Sequence, residues 1–267
     1  MIQIILSEVK KLRSKTKILT LVIAMLVTSI GGYYVKADSI PCFSWYTVPT
    51  KNEERPTRFE AADIIDKYGT IYLGSPDKKR IYLTFDSGYE NGNVKKVVDT
   101  LNEKNVKGAF FVLPHFITAN PELLSEMIAH GHLICNHSTS HRDMSKINDA
   151  ESFKKELCGI EEVYRNETGK ELSKYYRPPE GKFSEENLKL ARELGYTTVL
   201  WSLAHADWDN AKQPDPQKAK ELILSRVHNG CVMLLHPTSS TNAAILPELI
   251  DELRERGYEF CTLDEFE

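Results

Sequence analysis

A chain of 267 residues, 41% hydrophobic and 27% charged, has room for one large globular domain or two small ones. Its formal charge of −4 becomes −9 once residues 1–37, which hold six basic residues and one acidic, are set aside. Such an acidic body argues against a polyanion-binding role driven by bulk charge, and no nucleic-acid module is recognisable.

Lys10, Lys11, Arg13, Lys15 and Lys17 precede an uncharged apolar run from Ile18 to Ile30, and Val35-Lys36-Ala37 offers small residues where a signal peptidase reads. Residues 1–37 therefore read as a secretory signal peptide or an uncleaved N-terminal membrane anchor, and the chain as exported. Residues 38–79, with prolines at 41, 49, 56 and 76, read as an extension packing on the main domain. It carries a short helix near Ala61–Tyr68 and a strand at Thr70–Leu73. From residue 80 to 267 a rhythm sets in. Apolar runs at Ile81–Phe85, Gly108–Leu113, His132–Cys135, Tyr175–Tyr176, Thr197–Trp201, Cys231–Leu235 and Tyr258–Leu263 predict strands. Between them, Asn93–Lys104, Pro121–His130, Ala150–Thr168, Ser184–Leu194, Pro216–His228 and Ala243–Arg256 predict helices. Gly131, Gly195, Gly230 and Gly257 each stand between a helix and a strand, where a C-terminal cap belongs. Continuous apolar strands alternating with helices predict a parallel sheet, and seven of them favour a closed or nearly closed β/α barrel. The cysteines at 42, 135, 158, 231 and 261 form no regular framework and no CxxC motif, which disfavours a thiolate zinc site.

In such a barrel the residues that follow the strands share one rim, where active sites lie. Those residues here are Asp86, the pair His137 and His141, Arg177, Asp207 and His236. Each has a plain alternative when taken alone. Asp86 has the chemistry of a general base, a metal ligand or a helix cap, but Gly88 and Gly92 stand between it and the next helix. His137 and His141, spaced i and i+4 as on a helical turn, have the spacing of a bis-imidazole metal site or are two surface histidines. Arg177, before Pro178-Pro179, has the fork that holds a carboxylate or belongs to a surface turn. Asp207 suits the orienting partner of a histidine, Trp208 an apolar wall for a sugar, and His236 a general acid. Their alternatives are an exposed Asp beside a core Trp, and a satisfied core histidine. His205 and Glu180 lie near the rim without an assigned role, whereas His115, His130, His132 and His228 read as helix-end or surface residues. An acid with two imidazoles suggests hydrolysis by metal-activated water.

Thr84-Phe85-Asp86-Ser87-Gly88, His137 to His141, Arg177-Pro178-Pro179-Glu180-Gly181, Asp207-Trp208 and Leu234-Leu235-His236, in that order, resemble the polysaccharide deacetylases of carbohydrate esterase family four. Lys67–Gly74, Tyr89-Glu90-Asn91-Gly92 and Trp201–Ala204 are similar to the branch that acts on peptidoglycan N-acetylmuramic acid in spore-forming bacteria. The resemblance implies a deformed seven-stranded β/α barrel over residues 80–267. It implies Asp86 as general base, His236 as general acid, Arg177 orienting Asp86 and Asp207 tuning His236. His137 and His141 would hold a divalent metal, most naturally zinc, with the backbone N–H of Tyr89 aiding the oxyanion. Tyr89, Trp208 and Pro178 would meet substrate. Ser87 stands where the family carries a second Asp, so it implies weak or water-mediated ligation and an exchangeable metal. The implied substrate is the peptidoglycan glycan strand, deacetylated on the route to muramic delta-lactam in spore cortex, in the cell wall or the forespore intermembrane space. A non-catalytic wall-glycan binder, or a deacetylase of another acetylated glycan, are the competing readings.

Overall fold

The structure, a computed structural model, describes residues 41–57 and 61–267, together with Ser7. The expected signal segment over 1–37 otherwise lies outside the described residues. No helix among the described residues is long and apolar enough to cross a membrane.

The described chain from Pro41 forms one compact unit. In chain order it runs β1 (Cys42–Ser44), α1 (Ala62–Lys67), β2 (Arg80–Ser87), α2 (Asn93–Glu103), β3 (Ala109–Val112), α3 (Pro114–Ala119), α4 (Pro121–Ala129) and β4 (Leu133–Asn136). It continues α5 (Ala150–Thr168), β5 (Tyr175–Tyr176), β6 (Lys182–Ser184), α6 (Glu185–Glu193), β7 (Thr197–Thr198), α7 (Pro216–Arg226), β8 (Cys231–Leu235), α8 (Ser240–Glu255) and β9 (Glu259–Phe260). The main sheet has seven strands in the order β7-β5-β4-β3-β2-β8, with β9 also on β2, and every pairing is parallel. This is the deformed β/α barrel expected from the sequence. The expected helix Ala150–Thr168 and strand Cys231–Leu235 appear with the same bounds.

Alternation along β2 splits the core in two. Ile81, Leu83 and Phe85 pack outward against the helices, with Val97, Leu101 and Leu249. Tyr82 faces inward with Phe111, Cys135 and Val232. A strand buried on both faces has no solvent-facing positions, which is why its middle reads as a nearly continuous apolar run.

The seam between β7 and β8 is closed by isolated bridges. Ile71 pairs with Val199, Leu73 with Cys231 and Leu203 with Met233. Residues 70–74 thus belong to the barrel wall. Gly74 N–H donates to the Gly230 carbonyl at 2.8 Å, and a Cβ on Gly230 would lie 2.5 Å from the Gly74 backbone. Gly230 has φ +70°, so both backbone conformation and space demand glycine there. Two expected strands are shorter than predicted. β7 ends at Thr198 because the chain then crosses to the seam, and β9 ends at Phe260 before a short 3₁₀ turn at Leu263–Glu265. Strands β1 and β6 and helix α3 have no counterpart in the sequence expectation. β1 pairs antiparallel with β6, and Trp45 Nε1 donates to the Trp201 carbonyl at 2.8 Å, so the arm is pinned beside the rim.

Candidate active site

The parallel ladder sets the rim. Phe85 pairs with Leu235 and Asp86 with Phe111, so Asp86 and His236 emerge from neighbouring strands. The ladder runs one step past the strand ends: His137 N–H donates to the Val112 carbonyl, and Arg177 N–H to the Asn136 carbonyl. His137 and Arg177 therefore follow in register with each other two residues beyond Asp86, at the same end of the sheet.

Arg177 is fully buried, and all of its reach is used. Nη1 donates to Asp86 Oδ1 at 2.8 Å, Nη2 to Thr84 Oγ1 at 2.8 Å and to the Leu200 carbonyl at 3.2 Å, and Nε to the Val199 carbonyl at 3.1 Å. Its guanidinium lies 4.2 Å from the Phe111 ring centroid. Thr84 in turn donates to the Met233 carbonyl. Burial opposes ionisation of Asp86, but the charges of Arg177, His137 and His236 outweigh it and hold the pKa below the usual carboxylate value.

His137 Nδ1 lies 2.9 Å from the Arg177 carbonyl. A carbonyl only accepts, so Nδ1 carries the proton and Nε2 is left with its lone pair. That Nε2 lies 3.6 Å from Asp86 Oδ2, and the His141 ring centroid is 5.0 Å from that of His137. Burial lowers the His137 pKa to about 4, despite the opposing charge of Asp86, so the ring is neutral at neutral pH. The segment joining the two histidines is not the helical turn that their spacing suggests. It is an irregular loop with left-handed Ser138 (φ 69°) and His141 (φ 52°). Side chains take the place of a helix ladder. Asn136 Oδ1 accepts from Ser138 N–H, Ser138 Oγ accepts from His141 N–H, and buried Glu156 on α5 accepts from both Ser140 N–H and Ser140 Oγ.

Asp207 is buried. Its Oδ1 accepts from His236 Nδ1 at 2.8 Å, and its Oδ2 from His236 N–H at 2.8 Å and Asn242 Nδ2 at 2.6 Å. Burial would lower the His236 pKa, but the hydrogen bond and charge of Asp207, with the charge of Asp86, raise it above the ordinary value. His205 Nε2 stands 3.6 Å from Asp207 Oδ2 and 3.0 Å from Asn242 Oδ1.

These groups open on a cavity of about 880 Å³ lined by Asp86, His137, His141 and His236, with Tyr89, Glu180, Trp201, His205 and Trp208. Tyr89 and Trp208 are exposed, and Tyr89 Oη accepts from Asn210 at 2.6 Å. Pro178 is buried and not in the lining; Glu180, with φ 56°, holds the rim there instead. Ser87 is buried outside the lining, and its Oγ has no hydrogen-bond partner among the described residues. His132 and His228 are not surface residues, as expected, but buried and bonded. Thr84, Glu156 and Asn242 were missed as supporting residues. Glu156 had a visible signal, a lone carboxylate on the apolar face marked by Phe153, Leu157 and Ile160.

Among the described residues no three of His, Cys, Asp and Glu form a metal-holding group. What is present is a neutral imidazole with a fixed tautomer, a second imidazole beside it, and an unpartnered buried hydroxyl. That donor set fits a divalent ion held by His137 and His141, without a third charged ligand.

The profile of the polysaccharide deacetylases matches residues 74–199, the stretch that carries Asp86, His137, His141 and Arg177. Across 240 residues the chain is 39% identical to the peptidoglycan-N-acetylmuramic acid deacetylase PdaA of Bacillus subtilis, covering 88% of this chain and 90% of that one. It belongs to the polysaccharide deacetylase family. The solved structure of Bacillus subtilis PdaA, described as a family 4 carbohydrate esterase, superposes on this deacetylase with a TM-score of 0.80 at 38% identity, covering 84% of this chain and 96% of that one. An uncharacterised 30.6 kDa protein of Geobacillus stearothermophilus is 43% identical over 203 residues, 76% of each chain. The deacetylase is accordingly a hydrolase acting on amide bonds.

Proposed function

We propose that this deacetylase removes N-acetyl groups from peptidoglycan glycan strands, chiefly from N-acetylmuramic acid residues, on the route to muramic delta-lactam in spore cortex. The observation that carries the chemistry is the opposite tuning of two groups facing one cavity. Arg177 favours the ionised form of Asp86, and Asp207 favours the protonated form of His236. A carboxylate biased toward its charged form and an imidazole biased toward its protonated form are the base and acid that amide hydrolysis requires.

Asp86 takes a proton from the attacking water. His236, whose Nδ1 is tied to Asp207, presents Nε2 to the departing nitrogen and protonates it. The backbone N–H of Tyr89 assists at the developing oxyanion. Zinc held by His137 and His141 would supply Lewis acidity to the water and the acyl oxygen. Tyr89 and Trp208 offer exposed rings to the sugar faces. The products are acetate and a glycan amine. The substrate reading is supported by the activity for which the PdaA relative is named, and the basic and apolar pattern of residues 1–37 supports an exported enzyme.

The test incubates the purified protein with denuded peptidoglycan strands, with and without added Zn²⁺, and assays acetate and free amine. Amine on muramic residues is expected. Acetate released only from chitin or plant glycans would redirect the substrate, and binding without acetate under any metal condition would make the protein a glycan binder.

A further inference from the structure

A groove of about 340 Å³ opens beside the cavity, and Trp201, Ala204, His205 and Trp208 line both. Its outer wall is the arm after β1. That arm is fixed by Trp45 N–H on the Gly181 carbonyl at 2.9 Å and by Thr47 Oγ1 on the Ser202 carbonyl at 3.2 Å. The large apolar side chains exposed among the described residues are Tyr46 (53%), Val48 (51%), Tyr89 (46%) and Trp208 (64%). Tyr89 and Trp208 line the cavity, Trp208 and Tyr46 line the groove, and Val48 adjoins it in sequence. Exposed aromatics gathered on a single track, on a surface that otherwise buries its large apolar groups, mark a place where something binds. Among the described residues no acidic residue lines the groove, and its wall includes half-buried Arg226 at the end of α7. No carboxylate pairs with Arg226 among the described residues, although the body is acidic overall.

We infer that this groove seats the sugar adjoining the one in the cavity, with its ring faces on Tyr46 and Trp208, and that Arg226 receives a lactyl carboxylate of the same strand. The inference rests on the cavity holding a glycan residue. Aromatic rings meet the C–H faces of a pyranose, and a guanidinium takes a carboxylate by two hydrogen bonds. The groove lies at the small end of ligand sites, with room for one ring and for the short lactyl arm of the muramic residue beyond it, but not for a peptide stem of several residues. Groove and cavity adjoin along Trp201, Ala204, His205 and Trp208, and one strand occupies both.

The test measures calorimetric binding and acetate release with peptide-free muramic oligosaccharides, for the full chain and its Tyr46→Ala and Arg226→Met variants. Each variant is expected to weaken hexasaccharide binding about tenfold while changing binding of the N-acetylmuramic acid monosaccharide, which fills the cavity alone, by less than about twofold. Arg226→Lys should recover part of the loss. Converting the lactyl carboxylates to methyl amides should weaken the wild type as Arg226→Met does, and should erase the difference between the two. Hexasaccharide binding equal in the wild type and both variants overturns the inference. So does an Arg226 effect that survives amidation or that needs peptide stems. Tyr46→Ala, on an exposed position, reports even where the Arg226 variant fails to fold. The two readings separate. Variant-sensitive binding without acetate release removes the deacetylase reading and keeps the groove, whereas acetate release with variant-insensitive binding does the reverse.

Discussion

Ser87 is the residue at which the site departs most from a three-ligand metal centre. Its hydroxyl is buried and unpartnered, a position where most proteins would supply a hydrogen bond. Ser87→Asp puts a carboxylate there. Without metal that charge is buried and unpaired, so the variant should lose stability, by several kcal/mol if it stays ionised. With Zn²⁺ the carboxylate completes the ligand set, so calorimetry should show affinity raised at least about tenfold, or about 1.4 kcal/mol. The melting temperature should then rise with zinc more steeply than in the wild type. Unchanged zinc affinity would remove Ser87 from the metal's surroundings. Asp207→Asn isolates the other half of the site. The asparagine keeps the shape and removes the charge that raises the His236 pKa, so that pKa should fall. His236 would then deprotonate at lower pH, and the alkaline limb of the rate profile should move down with it, with kcat reduced about 10²- to 10⁴-fold. A ring titration by NMR that matches the wild type would refute the assigned role of Asp207.

Helix α5 carries the loop of the two histidines, and the sequence shows only part of this. The i, i+4 spacing pointed to the pair, but it suggested a helical turn. What brings the rings together is a loop braced by Glu156 and Asn136 from outside the motif. Long-range support of this kind has no local period to read. The same holds for Asn242. The expected start of the last helix at Ala243 omitted the first turn, where Ser239 caps the helix and Asn242 reaches back to Asp207. By contrast, Asp86, Arg177 and His236 were legible because each ends a buried strand, and parallel strands deliver their ends to one face. Gly159 on α5 gives this argument a test with a definite sign. Replacing a mid-helix glycine by alanine ordinarily stabilises by about 1 kcal/mol. Here a Cβ would stand 2.6 Å from Thr139 Oγ1, whose hydroxyl donates to the Glu156 carbonyl. Gly159→Ala should therefore destabilise, and it should weaken zinc binding by shifting the loop. A raised melting temperature would show that the loop yields freely.

Across the whole molecule, two histidines outside the site are buried in neutral form, and they set the response of the barrel to acid. His132 Nδ1 accepts from Gly108 N–H at 3.1 Å, so the proton is on Nε2, facing Asn102 Oδ1 at 3.0 Å. Protonating Nδ1 would set a donor against a backbone donor at the start of β3. His228 lies beneath the seam, with its rings' nitrogens near the Arg226 carbonyl and Ser202 Oγ. Burial lowers both pKa values from 6.5 to about 4. In the unfolded chain both rings take up protons near pH 6.5, whereas in the folded chain they resist until about pH 4. Stability that is complete above pH 6.5 is therefore lost progressively as pH falls to about 4, by on the order of 3 kcal/mol for each ring. Urea unfolding at pH 7 and pH 4.5 should show this fall. His132→Gln, which retains an acceptor and cannot ionise, should be less stable at pH 7 but lose only about two-thirds as much on acidification, because His228 and His137, both lowered to about 4 as well, still take up protons late. An equal fall in wild type and variant would assign the acid sensitivity to other groups. The two rings sit just before β4 and β8, at the ends of those strands opposite to the ends that lead into His137 and His236. Acid should therefore unfold the barrel through its scaffold while the Asp86–Arg177 pair is still charged, because Arg177 holds Asp86 ionised below the ordinary carboxylate range.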